Sequence, residues 1–209
     1  MSRSAVTSTA VHPLLAERWS PRSFDPSHEV TAEQLTALLE AARWAASAFN
    51  GQPWRFIVGR RGDEAHKVLF DSLLGFNQRW AGTASVLVAA VAAEVKEDGL
   101  PHSTAAYETG LAVAQLTTQA HAEGLHAHQM SGFDGDRLRA AVGIPEGFRP
   151  IAVIAIGAPA AADLLADEKL RARESAPRER RALAETFFAA SWGTPAESVS
   201  AAGGGLTPA

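Results

Sequence analysis

The chain has 209 residues, 46% of them hydrophobic, and a formal net charge of −4 at neutral pH. That length and composition suit a single globular domain with a full core, and the acidic balance gives no general attraction to nucleic acid or to an anionic membrane. There is no cysteine, which excludes disulfides, thiolate metal sites and a cysteine nucleophile.

Residues 1–15 lack the charged start and long apolar core of a signal peptide. The most apolar run, Ala84 to Ala93, is ten residues long, too short to span a bilayer. A cytoplasmic protein without membrane contact is the expectation. Residues 1–10 are small and polar and are expected to be disordered. His12 to Arg18 reads as a short helix that ends at Arg18-Trp19-Ser20, with Pro21 as punctuation. Two arginines and a hydroxyl, Arg18, Ser20 and Arg22, lie within five residues and can converge on one anion.

Thr31 and Gln34 form a capping box, and Leu35, Leu38, Leu39 and Ala42 recur at helical spacing, so a helix is expected over 32–46. It runs into Ser47-Ala48-Phe49-Asn50-Gly51-Gln52-Pro53-Trp54. Pro53 cannot continue a helix, and Asn50 and Gly51 tolerate a tight or left-handed turn. The result is a helix–turn–strand corner that presents Ser47, Asn50 and Gln52. These neutral hydrogen-bonding groups suit the polar edge of a ring or a sugar chain better than a phosphate or a metal.

A strand over 55–60 follows, then a helix opening at Gly62-Asp63-Glu64 and stopping at Gly75. Residues 84–93 read as a central strand buried on both faces. The longest helix, 103–123, carries Ala105, Ala106, Gly110, Ala112 and Ala114, small residues that allow close approach. His126 and His128 alternate on the next strand; without a carboxylate at a set spacing they are weak support for a metal. Asp134 caps a short helix through Ala140, Pro150 to Gly157 is another apolar strand, and 164–173 is a polar helix. Five of the 16 arginines lie between Arg171 and Arg181. Residues 194–209 are rich in Ala, Gly, Ser and Pro and look disordered. One domain over 11–193 is therefore expected. Helices alternating with three or four strands argue an α/β or α+β sheet covered by helices. No Gly-x-Gly-x-x-Gly follows a strand, so a dedicated dinucleotide fold is not supported.

Three stretches in this order, Arg18-Trp19-Ser20-Pro21-Arg22, Ser47 to Trp54, and Arg178-Glu179-Arg180-Arg181, resemble the flavin-dependent nitroreductase family from about Arg18 to Gly193. Asn77-Gln78-Arg79-Trp80 and Gly124 to Asp134 extend the resemblance. It implies a central mixed, mainly antiparallel sheet covered by helices in an interlocked homodimer, with the longest helix in the dimer core. It also implies one FMN per active site. The phosphate would be held by Arg18 and Ser20 with Arg178 and Arg180. Arg22 would lie near the flavin pyrimidine, where a positive charge favours the reduced, anionic ring. Asn77 would meet the ring edge, and Ser131 and Gly132 would offer main-chain N–H groups to it. Ser47 and Asn50 would reach the flavin, partly from the other subunit. The chain departs from the family's pattern in having Ala46-Ser47-Ala48 where Pro-Ser-Ser is usual, and Ala182 where proline often ends the late motif.

The implied activity is ping-pong hydride transfer from NAD(P)H through flavin N5 to a nitroaromatic, quinone, enone or similar oxidant, with no side chain required as acid or base. Two other flavin readings stay open at this point: a dehydrogenase or oxidase acting on a small or peptide-derived substrate, and a flavin-binding protein without turnover. The late arginine run could also mark a nucleic-acid or acidic-partner surface.

Overall fold

The structure, a computed structural model, describes residues 3–197; the last twelve residues of the expected C-terminal tail lie outside the described ones. The chain divides into two compact units, Trp19–Ser175, and Met1–Arg18 with Ala176–Ala209.

In the larger unit four strands, β1 (Trp54–Arg60), β2 (Val86–Ala93), β3 (His126–Met130) and β4 (Phe148–Gly157), form one sheet in the order β1-β2-β4-β3. Every neighbouring pair is antiparallel, in keeping with the mainly antiparallel sheet that the resemblance implied. Alternation along the strands sorts the core into two faces. Leu87, Ala89, Val153 and Ala155 pack with Leu69, Trp80 and Leu138 on one side. Val86, Val88, Ala90, Ile154 and Ile156 pack with Leu38, Ala42, Leu116 and Ala120 on the other. Every residue of β2 is buried, as the apolar run predicts. The register slips between Ala90 and Val91, where Ala152 and then Pro150 are the partners and Ile151 is left over. Pro150 has no N–H for the ladder, and a bulge is where a sheet tolerates that.

The main helices are α1 (Pro13–Ala16, in the smaller unit), α2 (Ala32–Arg43), α3 (Glu64–Ser72), α4 (Gly75–Gln78), α5 (Ala105–Ala122), α6 (Gly135–Val142) and α7 (Glu168–Ser175). The α2 capping box forms, with Gln34 N–H donating to Thr31 and the Gln34 side chain accepting from Thr31 N–H. The helix stops at Arg43, short of the expected Ala46. Trp44 is 71% exposed, so another turn would bury nothing to offset its ordering cost. Likewise α7 starts at Glu168 because Asp167 accepts from the amides of Lys169 and Leu170, a side-chain cap that fixes the first turn.

His128 on β3 anchors the chain segment that follows Arg18. Its Nδ1 faces the Pro21 carbonyl at 2.8 Å, its ring lies 4.5 Å from that of Trp80, and Trp80 stacks on the buried Phe24. Burial, reinforced by the Arg22 charge and opposed by backbone hydrogen bonds to Pro21 and Ser20, pulls His128 from 6.5 down to about 4.

An imidazole held neutral in the native state protonates freely in the unfolded chain. Between about pH 6.5 and 4 the unfolded state therefore binds more protons, so the stability is intact above 6.5 and lost as pH falls through that window. Denaturant titrations at pH 7.5 and pH 4.5 should differ by about 2–3 kcal/mol through this group. His128→Gln should flatten the dependence, leaving a remainder from His66, which burial also lowers. An unchanged slope in that variant would rule out His128 as its source.

Candidate functional site

The bend between α2 and β1 is held in an unusual backbone. Phe49, Asn50 and Gln52 have φ of 52°, 56° and 45°, which cost about 1–3 kcal/mol each outside glycine. Of the two residues expected to tolerate a left-handed turn, Asn50 takes it and Gly51, with φ −68°, does not. Gly51 is glycine for another reason: a Cβ there would sit 3.2 Å from the Ala48 carbonyl and 3.3 Å from the His102 ring. Local bonds shape the bend: Asn50 N–H donates to the Ser47 carbonyl at 3.2 Å, Gly51 N–H to Ala48 at 3.0 Å, and Gln52 N–H to Ser47 Oγ at 3.1 Å. Asn50 and Gln52 are exposed and Ser47 is half-buried. The bend borders a concavity of about 1000 Å³ whose walls include Arg55, Lys96, His102 and Phe148.

At the other edge of the sheet, β3 runs out into Ser131 and Gly132. The Gly132 carbonyl accepts from the Leu74 amide and from Asn77 Nδ2, both at 3.0 Å. A Cβ on Gly132 would lie 2.8 Å from that same nitrogen, so only glycine lets this amide approach. Asn77 is nearly buried and Ser131 exposed. The structure thus brings Asn77, Ser131 and Gly132 together. Ser131 lines a second concavity, of about 600 Å³, with Phe133, Arg139 and Arg149.

The register places the bend and Ser131 beyond the same end of the sheet, since Trp54 pairs with Ala92, Ala92 with Arg149, and Met130 with Val153. They flank opposite edge strands, three strand spacings or roughly 14 Å apart. Within one chain Ser47 and Asn50 therefore stand apart from the Asn77–Gly132 cluster.

Arg22 belongs to the larger unit and is tied to Glu174 of α7. The Glu174 carboxylate, 3% exposed, accepts from the amides of Arg22 (2.9 and 3.0 Å) and Ser23 (3.1 Å), and the Arg22 guanidinium lies 3.9 Å away. The charge of Arg22 thus has a built-in counter-ion that nothing in the sequence announced. Ser20, half-buried, is two residues before Arg22, and its backbone hydrogen-bonds to His128.

In the smaller unit, Arg18, Arg178 and Arg180 come together. Burial and then the Arg180 charge pull the Arg18 guanidinium below its usual range; Arg178 is lowered by burial, then by Arg18, Arg180 and Arg3. Arg178 has a second occupation. Its Nη1 donates to the carbonyls of Arg3 and Ala16, and its Nη2 to that of Arg18, while Arg3 Nη2 donates to the Ala176 carbonyl at 2.7 Å. Arg178 is a clasp between the two ends of the chain, and Arg180 beside it is exposed. Arg3 falls in a stretch whose composition suggested only disorder.

Like charges so placed repel, and a bound dianion relieves them. Neutral donors and a backbone approachable only at glycine suit a planar heteroaromatic edge. Both fit a flavin mononucleotide, whose phosphate carries about two charges near neutral pH.

Comparison with known proteins agrees. The family model described as "Nitroreductase family" matches residues 15–158, more than half of the chain. An uncharacterized 15.4 kDa protein of Mycolicibacterium smegmatis is 44% identical over 148 residues, covering 68% of this chain and 99% of that protein. The oxygen-insensitive NAD(P)H nitroreductase of Salmonella typhimurium is 26% identical over 185 residues, covering 68% of this chain and 85% of the enzyme. A crystal structure described as an oxidoreductase containing FMN superposes with a TM-score of 0.85 at 36% identity, covering 92% of this chain and 98% of that one. With the family model matching residues 15–158 and the fold shared with that FMN-containing oxidoreductase, this chain belongs to the nitroreductase family.

Proposed function

We propose that the protein is an FMN-dependent, cytoplasmic homodimeric oxidoreductase. It would pass hydride from NAD(P)H to a small oxidant, of nitroaromatic, quinone or enone type, in a ping-pong cycle. The observation that carries this reading is the cluster of Arg18, Arg178 and Arg180, in which burial and then neighbouring positive charge lower Arg18 and Arg178, in a chain of this family. FMN supplies the redox chemistry when bound, accepting and returning hydride at its ring N5.

The chain's own residues then have four tasks. Arg18 and Arg180 take the phosphate, with Ser20 as a hydroxyl donor. Arg178 mainly holds the backbone that presents Arg18, keeping one Nη2 proton and its Nε for the anion. Arg22 stabilises negative charge at the ring's pyrimidine edge, moderated by Glu174. Asn77 and the main chain at Ser131 and Gly132 orient the ring. Ser47 and Asn50 lie roughly 14 Å from those groups in the same chain, which supports a partner copy delivering them. No side chain is required as an acid or base.

The purified protein should be yellow. Anaerobic addition of NADH or NADPH should bleach the flavin band, and a quinone or nitroarene should restore it. A flavin band that neither nucleotide bleaches would replace this reading with a flavin binder or with an oxidase fed by its own substrate.

The arginines divide by role. Arg18→Ala or Arg180→Ala should weaken FMN binding about 10- to 100-fold, the loss of one charge-assisted contact, with little change in the melting temperature of the apoprotein. Arg178→Ala removes three bonds to backbone carbonyls and should lower the apoprotein's melting temperature by about 5 °C. Equal FMN affinity in all three variants and the parent would place the phosphate elsewhere.

A further inference from the structure

Glu108 has no part in that reading, yet it is one of the few buried charged side chains, 3% exposed on the first turn of α5. Its Oε1 accepts from the Ala48 amide at 3.1 Å and from the Thr104 hydroxyl at 2.8 Å. Its Oε2 is buried without a hydrogen-bond partner, 3.5 Å from His102 Nε2. The His102 ring in turn backs Gly51.

The bonds within Ser47 to Gln52, and the one from Arg55 to the Gln52 carbonyl, span five residues or fewer. The bond from Ala48 to Glu108 spans sixty. Backbone held at three unfavourable φ values persists only where its surroundings over-determine it, and local bonds move with the loop they shape. A buried carboxylate is costly unless it gathers donors. The bend and Glu108 therefore stabilise each other: the amide of Ala48 compensates the charge, and the charge fixes where the bend begins.

We propose that Glu108 is the positioning residue of the bend, holding Ser47 and Asn50 in one presentation and thereby setting how firmly FMN is bound. The second half of this statement rests on the reading that the bend touches the flavin.

Hydrogen exchange on the holoenzyme, followed peptide by peptide, tests the first half; an FMN dissociation constant from flavin fluorescence tests the second. In Glu108→Ala, exchange across residues 47–52 should accelerate at least about tenfold and FMN affinity should fall about tenfold, with β2 exchanging at the parental rate. Glu108→Gln keeps an oxygen able to accept from Ala48 and should restore both towards the parent. Parental exchange across 47–52 in Glu108→Ala overturns the proposal. So does acceleration that extends through β2, which would make Glu108 an ordinary core residue.

If Glu108→Ala does not accumulate, Thr104→Val removes one donor and leaves the carboxylate in place; it should accelerate the same peptide about two- to threefold, and parental exchange there also overturns the proposal. Ser47→Ala and Asn50→Ala test the premise separately. If both bind FMN with parental affinity while Glu108→Ala loosens the bend, the flavin reading of the bend fails and the positioning of the bend stands.

Discussion

The constraint on which the rest of the larger unit depends is that β2 and the second half of β4 have no face left for water. Helices cover the sheet on both sides, so no polar group can be mounted on its centre without being desolvated. Chemistry is exported to the strand ends. The bend before β1, the turn after β3 and the start of β4 all leave the sheet at the same end. The bulge at Ile151 between Ala90 and Val91 also bends β4 there. The two helix pairs that pack the faces, α2 with α5 and α3 with α6, carry the anchors for that end. Glu108 reaches the bend from α5, and the turn after α3 meets Gly132 through Leu74 and Asn77.

The sequence exposed what depends on local pattern. Ala84 to Ala93 reads as a doubly covered strand, because nine of its ten residues are apolar and it lies between turn signals. Thr31 and Gln34 marked a helix start through a bond pair that forms as read. Pro53 placed the corner correctly, and of the two residues read as tolerating a left-handed turn one adopts it. Asn50 is left-handed while Gly51 is not, since Gly51 answers to His102, fifty-one residues away. The Arg18, Arg178 and Arg180 cluster could be named from its resemblance. That Arg178 spends three donor bonds on backbone carbonyls could not, because those carbonyls, of Arg3, Ala16 and Arg18, have no side-chain signature.

Glu108 and Glu174 were illegible for a related reason. Glu108 is the one acid of α5 and Glu174 one of two in α7, and the partners that make each special are amides, which every residue carries. A lone carboxylate on the small-residue face of α5 was the one available hint, since Glu108 follows Ala105 at helical spacing and precedes Ala112 by four. For Glu174 the hint was thinner: α7 is mostly polar, with Leu170 its one large apolar residue, and only the fold reveals that an acid one turn further on is 3% exposed.

These two carboxylates use one physical device at two places. A buried carboxylate pulls amides toward itself and makes their position the low-energy one, because any other arrangement leaves a charge unsolvated. At Glu174 the amides belong to Arg22 and Ser23, so the device fixes a cation and at the same time moderates its charge. At Glu108 the amide belongs to Ala48, so it fixes a neutral, strained turn. The arginine cluster of the smaller unit is built on a different plan, with guanidinium beside guanidinium, so that burial and neighbouring positive charge lower Arg18 and Arg178. Like charges gathered together are suited to an external anion, and charge compensated internally is suited to orienting a ring without competing for it.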